Sequence, residues 1–222
     1  MNSTQSLEPI LSFLTGLSQH NDRAWFAENR PAYETARSIF ENFIDEILVE
    51  FRDSDDLQGL TAKDCIARIY RDIRFSKDKS PYKTNLGAMI APGGWRTTRH
   101  GYYIHLEPQG RSMVAGGMYN PTPEQLHRFR QAISADASGF KKILQTRDFS
   151  ETFGGISGER LKTAPKGYDP SHPEIALLNL KQVTVIHPFS DQEALAPGFM
   201  EQVVAACRVM KPFLTYLDNL ME

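Results

Sequence analysis

The sequence predicts an α+β fold: a mainly antiparallel sheet of about five strands flanked by N-terminal, middle and C-terminal helices. Three observations predict it. Apolar residues recur at helical spacing before residue 52 and again after residue 122. Between these regions, short segments alternate with period 2. Those segments are joined by Pro- and Gly-rich turns too short for parallel crossovers.

Taken in order, Leu7, Ile10, Leu11, Leu14 and Leu17 mark a first helix. Asn21-Asp22 offers an N-cap for a short helix carrying Trp25 and Phe26, both expected in the core. Pro31 suits the first turn of a longer helix reaching about Phe51, with Tyr33, Ala36, Phe40, Phe43 and Ile47 along one face. Residues 52–61 read as an acidic connecting loop. Strands are expected at roughly 66–75, 84–91, 101–107, 112–119 and 182–187. In the first, Arg71 is the anomaly, a cation on the apolar parity. Gly116 and Gly117 in the fourth suggest a bulge or a close approach to the backbone. Thr122 is a plausible N-cap with Pro123 at the first helical position, for a helix to about Ala135. Helices are further expected over 138–145, over 171–181 with Ser171 as cap, and over 197–221 with a kink at Pro212. Residues 154–168 read as an extended loop or short strand. No internal repeat interrupts this order, so residues 1–222 read as a single domain.

Composition narrows the function classes. The 222 residues carry 25 Lys and Arg, 27 Asp and Glu, and a net charge of −2. Broad nucleic-acid binding usually goes with a basic domain, and this one is slightly acidic. The average conceals an asymmetry, however. Nine cations stand against three acids between Ile66 and Arg111, and sixteen against twenty-four elsewhere. Cys65 and Cys207 match no metal spacing and sit in apolar surroundings, which suits buried thiols in a reducing cytoplasm. No signal peptide is evident at the N-terminus, and no run of about 18 apolar residues marks a membrane span.

The densest chemistry lies in R-I-Y-R-D-I-R-F-S-K-D-K-S-P-Y-K, Arg68 to Lys83. Arg68, Arg71, Arg74, Lys77, Lys79 and Lys83 stand against Asp72 and Asp78. Tyr70, Phe75 and Tyr82 are interleaved, and Ile69, Ile73 and Phe75 are expected to anchor the segment. Cations held in fixed places suit a bound anion, because Arg forks onto carboxylate or phosphate and loop N–H groups add to the field. An arginine on a buried parity needs an acid, so Asp72, Glu107 and Glu159 are the expected structural partners of Arg71. A second basic stretch holds Arg160, Lys162 and Lys166, and would close over the same anion if it folds beside the first. His105 and Glu107 share a strand face with Tyr103 beside them, a pattern suited to acid–base work. A metal would need a third, distant ligand such as His187 or Asp72, so no metal site is expected. No phosphate-loop, nucleophile-elbow or dinucleotide signature is present, and no cofactor is implied.

Over nearly its whole length the chain resembles a widespread family of conserved hypothetical proteins, a domain of unknown function marked by R-I-x-R-D-x-R-F-S-x-D-K-x-P-Y-K. The resemblance rests on N-D-R-A-W-F-A-E-N-R-P-A-Y at 21–33, the stretch 68–85, G-Y-Y-I-H-L-E-P at 101–108 and G-E-R-L-K-T-A-P-K-G-Y-D at 158–169. It implies a compact α+β protein with no established activity and transfers no catalytic residue. It places Trp25, Asn29, Arg30, Arg71, Asp72, Arg74, Asp78, Lys79, Tyr82, Lys83, Arg160, Lys162 and Lys166 in the family pattern.

The expectation is a cytoplasmic domain, enzyme or binding protein, that takes a small phosphorylated or carboxylated ligand in a basic pocket. Arg68, Arg71, Arg74, Lys77, Lys79, Tyr82, Lys83, Arg160, Lys162 and Lys166 are the candidate ligand-binding residues. Asp72, His105 and Glu107 are the candidate proton carriers. The competing readings are a module for nucleic acid or an acidic partner, and a basic motif that is only a structural charge network.

Overall fold

The computed structural model describes residues 6–52, 54–57 and 59–221. It is an α+β fold with one four-stranded antiparallel sheet. Helix α1 spans Glu8–Gln19, α2 Arg23–Glu28, α3 Arg30–Phe51 and α4 Ala62–Cys65. Strands β1 (Leu86–Ile90), β2 (Tyr102–Leu106) and β3 (Ser112–Met118) follow, with one 3₁₀ turn at Gly94–Arg96. Helices α5 (Pro123–Ala135), α6 (Ser138–Leu144), α7 (Arg147–Phe153) and α8 (Ile175–Leu178) precede β4 (Val183–Phe189). Helices α9 (Asp191–Leu195) and α10 (Phe199–Asn219) complete the order. The strands lie in the order β1-β2-β3-β4.

The chain forms two compact units, one of residues 1–98, 102–114 and 188–205, the other of 99–101, 115–187 and 206–222. In the first, α1 and α3 bury the apolar faces that their spacing dictates. Ile10, Leu14 and Leu17 meet the environment of Phe40, Ile44 and Ile47, all fully enclosed. Phe13 contacts Trp25, Phe26 and Tyr33 through ring centroids 5.6–6.1 Å apart. Phe26 is buried while Trp25 is half-buried. Asp22 caps α2, accepting the Ala24 and Trp25 N–H groups at 2.8 and 2.9 Å. In the second unit the core is again aromatic: Phe140 touches Phe129, Phe213 and Tyr216 within 5.1–6.0 Å. Thr122 and Gln125 form the capping box that begins α5, with Pro123 at the first position.

The expected strand over 66–75 does not form. Ile66 bridges Ala88 and Tyr70 bridges Tyr82, and no ladder joins them. After the Ala67 N–H donates to the Gly87 carbonyl at 2.8 Å, the chain leaves β1 and folds back on itself. Arg71 N–H donates to the Pro81 carbonyl and Lys83 N–H to the Ile69 carbonyl, at 2.9 and 2.8 Å. The sequence alternation here reflects charges paired along one turn, not two faces of a sheet. The sheet therefore has four strands, not five. The expected helix over 171–181 shrinks to Ile175–Leu178. Asp169 draws in the Ser171 N–H and hydroxyl at 2.7 Å, and His172 Nδ1 accepts the Glu174 N–H, so turns precede the helix. Leu180 then bridges Arg160 across the extended segment. Three short helices escape the periodicity: α4, α7 and α9. Two of these begin with capping boxes, Thr61 with Asp64 and Ser190 with Glu193. Pro212 lies within α10.

The Gly116-Gly117 pair marks a close approach. At Gly117, φ is +108° and an added Cβ would stand 2.2 Å from the Val183 carbonyl oxygen. Gly117→Ala should therefore lose roughly 3 kcal/mol in urea unfolding. Gly154→Ala, with φ +66° but nothing within 4 Å, should lose only about 1 kcal/mol. Equal losses at the two sites would show that the steric approach is unimportant.

Candidate functional site

The Arg68–Lys83 segment is pinned at its C-terminal end. The Asn21 side-chain amide donates to the Tyr82 carbonyl at 3.0 Å, and its oxygen accepts the Tyr82 N–H at 3.1 Å. The Tyr82 ring lies parallel to Phe26 with centroids 4.0 Å apart, and it also meets Tyr70 at 5.4 Å. Burial raises the Tyr82 phenol pKa above its usual range. Tyr82 thus serves as an anchor through its backbone and ring.

Between those fixed ends the charges pair with one another. Arg71 bonds Asp78, and its guanidinium reaches the Ser80 carbonyl at 3.3 Å. Asp78 also accepts the Ser80 N–H and hydroxyl at 2.9 and 2.6 Å. Its pKa falls far below the carboxylate range, chiefly through the Ser80 bonds and then Arg71. Arg71 was expected beside Asp72, Glu107 or Glu159; its acid is Asp78, which the local turn supplies. Arg74 grips Asp72 with two parallel bonds of 3.0 and 2.6 Å. That grip and the Arg74 N–H lower Asp72 to about 2. Lys79 donates to the Ile73 carbonyl at 2.9 Å. Ile69 is buried and Ile73 half-buried, but Phe75 does not anchor the segment: it is 96% exposed, with Arg74 over its ring at 6.0 Å. Lys77 and Arg68 are exposed.

Lys83 differs from the other cations. Its ammonium stands over the Trp95 ring at 5.4 Å, and its pKa is lowered by burial and then by the Arg68 charge. Neither Arg68 nor Lys83 has an acid within 4 Å among the described residues. Trp95 in turn faces Tyr103, ring to ring at 6.3 Å.

Beside these cations, β2 carries a polar row. The Tyr103 hydroxyl lies 3.1 Å from His105 Nδ1, and His105 Nε2 lies 2.9 Å from Glu107. Glu107 also accepts from the Thr84 hydroxyl at 2.8 Å and from Arg111 at 3.1 Å. His105 is 8% exposed. On β1, Gly87 pairs with His105 in register, and a Cβ there would stand 2.7 Å from the Tyr103 oxygen. The missing side chain is what lets the phenol lie across β1 to reach the imidazole.

The sequence pointed to His105 and Glu107 but not to the groups that orient them. Thr84, Trp95, Arg111 and Gly87 carried no separate signal, because no motif marks the contacts each makes, and Asn21, read with Asp22 as an N-cap, instead clamps Tyr82. Arg160, Lys162 and Lys166 are exposed and belong to the other unit. There, Arg160 bridges Leu180 through the backbone, and Glu159 pairs with Lys181 at 2.8 Å. That unit also holds a cavity of about 770 Å³ lined by Ser134, Lys141, Lys142, His172 and Glu174, among others. Among the described residues no helix is long and apolar enough to cross a membrane.

The paired turn has a pH signature. Because the folded-state pKa values of Asp72 and Asp78 are depressed, their stabilising ties are intact above the ordinary carboxylate range and lost as pH falls through the folded values. The turn should therefore hold to about pH 3 and loosen below it. Asp78→Asn should loosen it at pH 7, read as roughly tenfold faster amide exchange at Arg71 and Ser80. Unchanged exchange would show that Asp78 does not hold the turn.

No curated protein and no solved structure matches the chain. The profile of one family matches residues 9–216, and the chain therefore belongs to the conserved hypothetical protein family DUF2461.

Proposed function

We propose that the protein binds a small phosphorylated or carboxylated molecule at Arg68 and Lys83, against Trp95 and the polar row of β2. One observation carries this reading. Lys83 is half-buried, lies in the field of a second cation, and has no acid within 4 Å among the described residues. Such a charge is costly, and an anion seated between the two cations would offset that cost. Arg71, Arg74 and Lys79 are spent on the turn itself, so their part in the reading is to shape the loop. His105, held by Glu107, is the group placed for proton transfer, since Asp72 stays ionised down to about 2. The proposed site draws only on the first unit. The two buried cysteines suit a reducing cytoplasm.

A second reading has one observation in its favour. Phe75 is almost fully exposed among cations, as a base-stacking residue would be. Binding through that tip would be confined to single-stranded oligonucleotides and would weaken steeply with salt.

Thermal shift with inorganic phosphate, pyrophosphate and citrate separates these readings. A ligand at a hundred times its Kd stabilises the native state by about 2.7 kcal/mol. The expected result is a rise in Tm that Lys83→Met and Arg68→Met each abolish. Without ligand, the lowered Lys83 pKa makes its protonated form a liability, so stability rises as pH climbs toward the ordinary lysine value of 10.5. Lys83→Met should remove that rise. Equal shifts in wild type and variants, or stabilisation by oligonucleotides alone, would overturn the small-anion reading.

A further inference from the structure

The polar row of β2 has a fixed direction. Glu107 accepts from Thr84 and from Arg111 through one oxygen, and as a carboxylate its other oxygen can only accept from the imidazole. His105 therefore donates from Nε2 to Glu107 at 2.9 Å. In the neutral imidazole that leaves Nδ1 with its lone pair, 3.1 Å from the Tyr103 hydroxyl, which can donate to it. A hydroxyl on a base, and the base on an orienting carboxylate, is the arrangement that activates a nucleophile whatever the fold. His105 is nearly enclosed, which strengthens each bond in the row. Gly87 supports the same reading, since the gap it leaves is where the phenol oxygen lies.

We propose that Tyr103 is a catalytic nucleophile toward a phosphate ester, with His105 as its base and Glu107 as the positioning residue. The substrate class rests on the anion reading above; the activation of Tyr103 does not. In the first step the Tyr103 oxygen forms a bond to phosphorus as the bond to the leaving oxygen breaks. The phenol proton passes to His105 Nδ1, and the imidazolium is stabilised by Glu107. His105 then gives that proton to the leaving alkoxide. In the second step water attacks the phosphotyrosyl phosphorus and gives its proton to His105. The released phenolate takes that proton back, leaving Tyr103, neutral His105 and inorganic phosphate. Arg68 and Lys83 would bear on the phosphoryl oxygens throughout.

An arylsulfonyl fluoride tests the nucleophile directly, because the phenol oxygen displaces fluoride at a tetrahedral centre without needing the natural substrate. Labelling sites are read by peptide mass spectrometry on the intact folded chain, with Tyr70 and Tyr119 as internal references at 56% and 69% exposure. Tyr103 should react about a hundredfold faster than Tyr119 although it is less exposed, and His105→Gln should bring it down to the Tyr119 rate. Glu107→Gln gives a second variant should His105→Gln fail to fold, and it should slow labelling in the same way. Labelling of Tyr103 no faster than Tyr119, or unchanged in both variants, overturns the proposal. Hydrolysis of p-nitrophenyl phosphate then tests the substrate class. Turnover lost in Tyr103→Phe and in Lys83→Met supports both readings. Turnover that persists in Tyr103→Phe overturns the nucleophile, and turnover lost in Tyr103→Phe but retained in Lys83→Met removes only the anion site. Fast labelling with no turnover keeps the activated phenol and overturns the phosphate ester as substrate.

Discussion

The two hydrogen bonds between the Asn21 amide and the Tyr82 backbone are the constraint on which the site depends. They join residues 61 apart in sequence, and each satisfies a backbone group in a part-buried setting. Such bonds contribute about 1 kcal/mol apiece, yet leaving either partner orphaned costs more. The Phe26–Tyr82 stack then fixes the ring, so position 82 is held from both backbone and side chain. With Tyr82 fixed, Lys83 N–H bonds Ile69 and Arg71 N–H bonds Pro81, and these two bonds close the loop at its base.

That closure sorts the cations into two kinds. Arg71, Arg74 and Lys79 are held by groups within the same turn: Asp78, Asp72 and the Ile73 carbonyl. Exposed ion pairs of this sort add little stability, so their effect is conformational. The acids that hold them are far too acidic to exchange protons near neutral pH. Arg68 and Lys83 lie where the turn meets β1 and make no ion pair within 4 Å among the described residues, Arg68 feeling Asp72 only at longer range. Two of the six cations, Arg71 and Arg74, are thus neutralised by acids of the same turn, while Lys77 and Lys79 near its tip and Arg68 and Lys83 at its base carry the surplus charge.

How much of this is legible in the sequence depends on whether a signal is local. Thr122 and Pro123 sit next to the helix they start, and the capping box is visible at that spacing. Tyr102, Ile104 and Leu106 alternate with Tyr103, His105 and Glu107 because one face of β2 meets the core, so the strand and its polar row can be read together. The segment 66–75 misleads for the same reason that its chemistry is interesting. Asp72 and Arg74 are two apart because they bond one another, and spacing alone cannot distinguish a paired turn from a strand face. Phe75 reads as an anchor by residue type, but the loop tip holds it in solvent. The Asn21 clamp and the Gly87 gap were out of reach: one depends on a partner 61 residues away, the other on a side chain that is absent.

The turn and the polar row are one assembly because Thr84 directly follows Lys83. Its hydroxyl bonds Glu107, the same carboxylate that orients His105. The clamp on Tyr82 therefore fixes Thr84 two residues later, and Thr84 occupies one oxygen of Glu107 while His105 takes the other. Arg111 approaches that first oxygen from the β2–β3 turn, so the carboxylate is held from two sides and cannot rotate away from the imidazole. Gly87, on the strand that begins just after Thr84, leaves the gap through which Tyr103 reaches Nδ1. The chain from 82 to 87 thus sets the charge beside the row, the orientation of its acid and the path of its phenol. Lys83 stands over the Trp95 ring at 5.4 Å, that ring lies 6.3 Å from the Tyr103 ring, and the Tyr103 hydroxyl lies 3.1 Å from His105 Nδ1, so the charge and the polar row are linked through two aromatic rings.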